Sequence, residues 1–268
     1  MSVMDTNAIV RRDRRVVVFG IAAVTTLAWV YLALMTIKMG QDMRVGMKAA
    51  AQPRLASWTV IDFVLMFIMW AVMMVAMMLP SASPMVAMFA KVNRMRRTSV
   101  EAVDGDPMVP TWVFMSGYIV MWSGFSLLAT ILQWALQNAG LLSPMMASTS
   151  TFFGGLILIA AGAYQWSVWK QSCLNHCQTP LGFLMTRWQD GRDGAFRMGL
   201  SHGAYCVGCC WMLMALLFVG GVMNLAWVAA LAALVLTEKL MPPGLWLSRI
   251  TGSGLIVWGS TMIVGTYY

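Results

Sequence analysis

The feature that most limits what this chain can fold into is its set of long apolar runs without charge. Val16–Thr36 alone is 21 residues long, and about 20 apolar residues suffice for a helix to cross a bilayer. Of the 268 residues, 60% are hydrophobic and only 10% are charged, against about 25% charged in a soluble domain. The predicted fold class is all-α, a polytopic transmembrane helical bundle, with the lipid bilayer as its surroundings. A soluble layered fold and soluble catalysis are excluded on the same grounds.

The runs and their breakers predict about seven spans, at roughly 16–36, 60–79, 111–136, 152–169, 198–220, 225–237 and 250–267. Residues 1–15 read as a cytoplasmic N-terminal tail and 16–268 as one integral membrane domain. Val16–Thr36 exceeds the roughly 7–15 residues of a signal-peptide core, so a retained first span is expected. Met39, Met43 and Met47, spaced among basic residues after span one, suggest an interfacial helix. Pro80, Ser81, Ser83 and Pro84 read as a breaker cluster closing span two. Glu101–Pro110 reads as a flexible linker, and Lys170–Arg197 as a polar, basic connector.

The net charge of +8 raises the question of nucleic acid, but the basic residues sit in short segments between apolar runs. With seven spans and an inside N-terminus, the cytoplasmic segments hold 14 Lys and Arg and the outer segments hold Lys38, Arg44, Lys48 and Arg54, which is 4. That asymmetry is what membrane topology requires. Neither a nucleic-acid nor a nucleotide partner is expected, and the chain has no GxxxxGK[ST] loop, no Ser-His-Asp set and no HExxH. No enzymatic activity is expected.

The chemistry concentrates in Ser201–Met214, SHGAYCVGCCWMLM, which holds three of the five cysteines and one of the two histidines. On a helix, His202, Cys206 and Cys210 stand at i, i+4 and i+8 on one face. Met198 and Met214 extend that row, and Cys209 adjoins Cys206. Counting rise per residue, Cys206 lies about 13 Å along the helix from Arg197, near mid-bilayer. Thiolates and thioethers favour Cu(I) and zinc, and imidazole suits both. Cysteine also packs as a small hydrophobe, but three within five residues beside a histidine point to a soft metal.

A second row lies in span two, where Met66, Met69, Met73 and Met77 share a face with Met74 and Met78 beside them. Thioethers are neutral ligands suited to Cu(I), and the chain has 27 Met, enough to let Met73, Met74, Met77 and Met78 serve as relay positions. Methionine is equally a gap-filler in apolar packing. A third cluster, Cys173, His176 and Cys177, converges on a helical turn at the expected cytoplasmic surface, where thiols stay reduced. Asp62 reads as interfacial, and Glu238-Lys239 as a surface ion pair at a helix end.

These motifs occur together in a known family. Trp70-x2-Met73-Met74-x2-Met77-Met78-x-Pro80-Ser81 comes first, followed by Ala163-Tyr164-Gln165-x4-Lys170-x2-Cys173-Leu174-x2-Cys177-x2-Pro180. Then come His202-Gly203-x-Tyr205-Cys206-x-Gly208-Cys209-Cys210-Trp211 and Glu238-Lys239-x2-Pro242. Over roughly residues 60–265 the chain resembles a bacterial family of uncharacterised integral membrane proteins for which metal binding is predicted. Arg often stands in that family where Gln178 stands here. The resemblance implies a multi-pass protein of the bacterial inner membrane.

The function expected is binding of a soft transition metal, most simply Cu(I) with zinc as the other candidate. The role would be transport, or delivery to a partner metalloenzyme or exchange with a metallochaperone. His202, Cys206, Cys209 and Cys210 would be inner ligands. Cys173, His176 and Cys177 would receive or release metal. Two other readings fit the same residues: a membrane thiol-disulfide oxidoreductase using Cys206-x2-Cys209, and a scaffold subunit in which the cysteines only pack helices.

Overall fold

A computed structural model describes residues 3–49, 58–100, 109–142, 148, 150–241 and 244–265. The described chain is helical, with a single isolated bridge pairing Leu142 and Ser148. The helices are α1 (Val3–Ala49), α2 (Val60–Val100), α3 (Thr111–Asn138), α4 (Thr151–Gln165) and α5 (Val168–Gln178). They continue with α6 (Pro180–Arg187), α7 (Gly191–Ala215), α8 (Leu217–Gly220), α9 (Leu225–Leu240) and α10 (Gly244–Val264).

Four stretches are long and apolar enough to cross a membrane: Val17–Lys38, Val60–Arg96, Thr111–Asn138 and Gly191–Gly220. A fifth is made if α4 and α5, which meet at a 63° bend, count as one span. α9 has 16 residues, fewer than the roughly 20 that cross a bilayer without tilt or thinning. Many large apolar side chains face outward, among them Phe19 at 70%, Leu27 at 69% and Leu128 at 67% exposure.

Two expectations need correction. The proline cluster does not end a helix: α2 runs unbroken for 41 residues through Pro80 and Pro84. Proline removes an intrahelical bond and crowds the preceding turn, and α2 nevertheless continues through both prolines in a buried stretch packed on other helices. The Met78 carbonyl accepts from Ser81 Oγ at 2.8 Å and from the Tyr118 hydroxyl of α3 at 3.1 Å. The polar connector after span four is likewise structured, as α5, α6 and the first turns of α7. Ser167 caps α5 by accepting from the Lys170 backbone N–H at 3.1 Å.

Asp62 is exposed in the first turn of α2, and its role is local. Thr59 N–H donates to its carboxylate at 2.9 Å, and its own N–H donates to Thr59 Oγ1 at 3.2 Å, a reciprocal cap on α2. α1 is helical on both sides of span one, through part of the expected tail and past Met39, Met43 and Met47. Residues 101–108 of the acidic linker and 143–147 of the following loop lie outside the described residues.

The α4–α10 and α3–α7 contacts rest on glycine. A Cβ on Gly162 of α4 would lie 2.6 Å from the Gly252 carbonyl oxygen of α10, and one on Gly252 would lie 2.8 Å from the Gly162 oxygen. Gly117 of α3 and Gly199 of α7 meet the same way, each facing the other helix's backbone. Small residues let helix backbones approach closely. The α3–α7 seam thus brings Tyr118 up against the cysteine row.

Candidate metal centre

The centre is built outward from α7. Its i, i+4 row faces inward, and Met198, Cys206, Cys210 and Met214 are each no more than 2% exposed. Cys209 is also buried. The Cys209 and Cys210 thiols both donate to the Cys206 carbonyl, at 3.1 and 2.8 Å. Thiols have weak donor capacity, and here they spend it on the turn below.

Other helices close on this row. Cys210 Sγ lies 3.9 Å from Met78 Sδ, so α2 and α7 do touch, and they touch sulfur to sulfur. Cys206 Sγ lies 2.8 Å from Lys239 Nζ of α9 and 3.1 Å from the Tyr118 hydroxyl of α3. Lys239 Nζ also donates to Ser81 Oγ of α2 at 3.1 Å. From α5, the Cys177 thiol interacts with Cys206 and Cys209. Five helices, α2, α3, α5, α7 and α9, thus converge on one sulfur-rich point.

The sequence-derived ligands divide. Cys177, Cys206, Cys209, Cys210 and Met78 are brought together. Met73, Met74 and Met77 are buried in the same core, each at 1% exposure or less. Cys173 is half-buried against α7, and its sulfur lies 2.8 Å from where a Gly208 Cβ would stand. Gly208 is further held by the Tyr164 hydroxyl, which donates to its carbonyl at 2.5 Å.

The two histidines are turned to rings. His176 stacks on Tyr205 at 4.2 Å with planes 1° apart, and its Nδ1 meets the Ser172 carbonyl at 2.8 Å. His202 is buried among Phe114, Tyr118 and Phe183, with centroids 5.7–6.2 Å away. Its Nδ1 has no hydrogen-bond partner, which leaves a donor atom of a suitable type unused beside the thiols. Among the described residues, no three His, Cys, Asp or Glu side chains stand ready to hold a metal together. A four-ligand zinc site would therefore require side chains to move. Two sulfurs suffice for Cu(I), and the Cys210–Met78 contact already joins two sulfurs from different helices.

The expected surface pair of Glu238 and Lys239 is incorrect. The two are 2% and 7% exposed, and successive residues on a helix do not face each other. Glu238 instead accepts from Lys170 Nζ of α5 at 2.7 Å and from Ser248 Oγ of α10 at 3.1 Å. Lys170 also donates to Gln165 of α4, so this ion pair braces the α4–α5 bend. Gln178 Nε2 donates to the Glu238 backbone carbonyl at 2.7 Å.

Sequence reasoning missed Lys239, Tyr118 and Ser81 as parts of the centre. The available signal was the adjacent Glu-Lys step at the end of an uncharged helix, which cannot pair with itself and so must reach two different partners.

Among known proteins, a family model described as PpoB2: Copper chaperone matches residues 67–262. Neither a curated protein nor a solved structure matches the chain.

Proposed function

This chain belongs to the PpoB2 copper chaperone family, and from that premise we propose that it is an integral membrane protein that holds Cu(I) as cargo and hands it on. The observation that carries the proposal is the meeting of α2 and α7 through sulfur, Cys210 Sγ and Met78 Sδ at 3.9 Å, with Cys206 one turn away. Soft thiolate and thioether donors select Cu(I) over harder ions. The donors are buried, so water and oxidants are kept from the bound ion.

Cys206, Cys210 and Met78 are the holding residues in this reading, with Cys209 and Cys177 adjoining and His202 held in reserve. Cys173 is the half-exposed thiol at which cargo arrives or leaves, passing to Cys177 and Cys209 before Cys206. His176 lines the approach. Met73, Met74 and Met77 continue the sulfur lining along α2 away from the thiols. The partner that exchanges copper at Cys173 is a soluble metallochaperone or a metalloenzyme. No chemistry on a substrate is required.

Membrane integration is supported by the inverted distribution of polarity, with Lys170, Glu238 and Lys239 buried and Phe19, Leu27 and Leu128 facing out. Of the seven spans, the four long apolar stretches and the bent α4–α5 pair supply five. α9 and α10 supply the remaining two, α9 crossing where the bilayer thins. The N-terminus is cytoplasmic, in the inner membrane of a bacterium.

The test is metal content of the full chain purified in detergent under reducing conditions. About one copper per chain is expected, falling to roughly a tenth or less in the Cys206→Ser/Cys210→Ser double variant. Metal-free wild type after copper-supplemented expression would overturn the proposal.

A further inference from the structure

Beyond the thiols, α2 and α3 carry two different rows along the seam between them. On α2, Met66, Met69, Met73 and Met77 recur every three or four residues on one face, and the last three are each 1% exposed. On α3, Ser126, Thr130 and Gln133 follow the same helical period, and each is buried at 0% exposure. The seam is tied at both ends. Near the thiols, the Tyr118 hydroxyl donates to the Met78 carbonyl at 3.1 Å. About 18 Å further along α2, by the rise per residue, Gln133 Nε2 donates to Met66 Sδ at 3.7 Å. There Gln133 Oε1 also accepts from Trp70 Nε1 at 2.6 Å.

Apolar packing alone requires no amide or hydroxyl, and a buried polar group costs stability unless it is bonded. Ser126 and Thr130 donate to carbonyls of their own helix, those of Trp122 and Ser126, at 2.8 Å each. That uses their protons and leaves their oxygen lone pairs as acceptors. Two further polar atoms on the same row of α3, Trp122 Nε1 and Gln137 Oε1, are buried with no hydrogen-bond partner among the described residues. One side of the seam thus offers oxygens, the other offers thioethers, and every donor is neutral. Polar side chains inside a membrane bundle mark the routes of ions and substrates.

We propose that the α2–α3 seam is a transfer path for Cu(I), ending at Met66 and Gln133, by which the protein passes its cargo across the membrane to the face where α2 begins. This inference rests on the copper-holding reading above and adds where the ion goes. Thioethers are soft, neutral donors that accept Cu(I). The four methionines stand about 4.5–6 Å apart along the helix axis, so the ion changes partners without becoming bare in the hydrocarbon. Each step exchanges one neutral donor for the next and moves no proton. The seam is packed, with Trp70 at 0% exposure between Met66 and Met73, so passage is by exchange of donors and not by flow through a water-filled pore. Met66 is half-buried, which gives the last sulfur access to a carrier beyond the bundle. Gln133 is a positioning residue there, its amide engaging the Met66 sulfur when no ion does.

The experiment uses the full chain in sealed vesicles that enclose an impermeant Cu(I)-binding dye, with Cu(I) supplied outside from a weaker chelator under reducing conditions. The dye reports passage, and copper content of the same protein in detergent reports holding. Wild type, Met66→Leu/Met69→Leu and Gln133→Leu are compared with protein-free vesicles. Wild type is expected to load the dye faster than protein-free vesicles. Both variants are expected to keep the copper content of wild type and to load the dye about tenfold more slowly, the loss produced by a barrier about 1.4 kcal/mol higher at one transfer. Wild type that holds copper but loads the dye no faster than protein-free vesicles overturns the inference and leaves the copper-holding reading standing. A Met66→Leu/Met69→Leu rate equal to that of wild type does the same. Wild type that binds no copper overturns both. Leucine conserves the volume of methionine, so the double variant decides the matter should Gln133→Leu fail to fold.

Discussion

At Lys170 and Glu238 a single proton's worth of charge on each side holds together four helices. The pair is buried, at 2.7 Å, and is shared with Gln165 and Ser248. Removing one partner strands the other charge, so Glu238→Gln or Lys170→Met is expected to cost about 3–5 kcal/mol. The double variant Lys170→Met/Glu238→Leu is expected to recover most of that loss, because a well-packed apolar pair replaces a buried ion pair at little cost. Thermal unfolding of the detergent-solubilised protein, followed by intrinsic fluorescence, measures both. A double variant no better than the worse single one would count against this account. The residue scale is also where sequence reading fell short. The sulfur cluster was legible because thiols repeated at helical spacing share one face. The cation beside Cys206 was not, since a lysine next to a glutamate at a helix end looks the same whether it meets water or a neighbouring helix.

Helices came through with better fidelity than their breaks. The helices expected for spans one and three and the α7 row follow from uncharged runs and the i, i+4 spacing, and each helix lies where the runs put it. The misread breaks share a cause, which is that a local signal was overruled by partners far along the chain. Pro80 is carried inside α2 at a turn buried against other helices, where Tyr118, forty residues later, donates to the Met78 carbonyl. Lys170 marks no surface loop because Glu238 meets it from α9. Glycine contacts between helices are equally invisible to periodicity, and they yield a contrast. Gly162→Ala puts a Cβ 2.6 Å from the Gly252 oxygen, and such overpacking is expected to cost about 1–3 kcal/mol. Gly124→Ala in α3 meets nothing within 4 Å and is expected to be neutral or to gain about 0.5–1 kcal/mol from helix propensity. Equal melting temperatures for the two variants would refute close approach as the reason for Gly162.

For the molecule as a whole, the proposed route runs from one half-exposed thiol to a closed group of sulfurs. Maleimide labelling of the folded protein is expected to modify Cys173 and to leave Cys206, Cys209 and Cys210 protected, with all five cysteines reacting after denaturation. Rapid labelling of Cys206 in the folded state would show the centre to be open. Reporter fusions are expected to place the two termini on opposite faces of the membrane, as an odd number of spans demands, and termini on the same face would remove one span from the count. Glu238 and Lys239 are neighbours on α9, so their side chains leave the helix about 100° apart, one toward the α4–α5 bend and the other toward Cys206. Any turn of α9 about its own axis must disturb both at once.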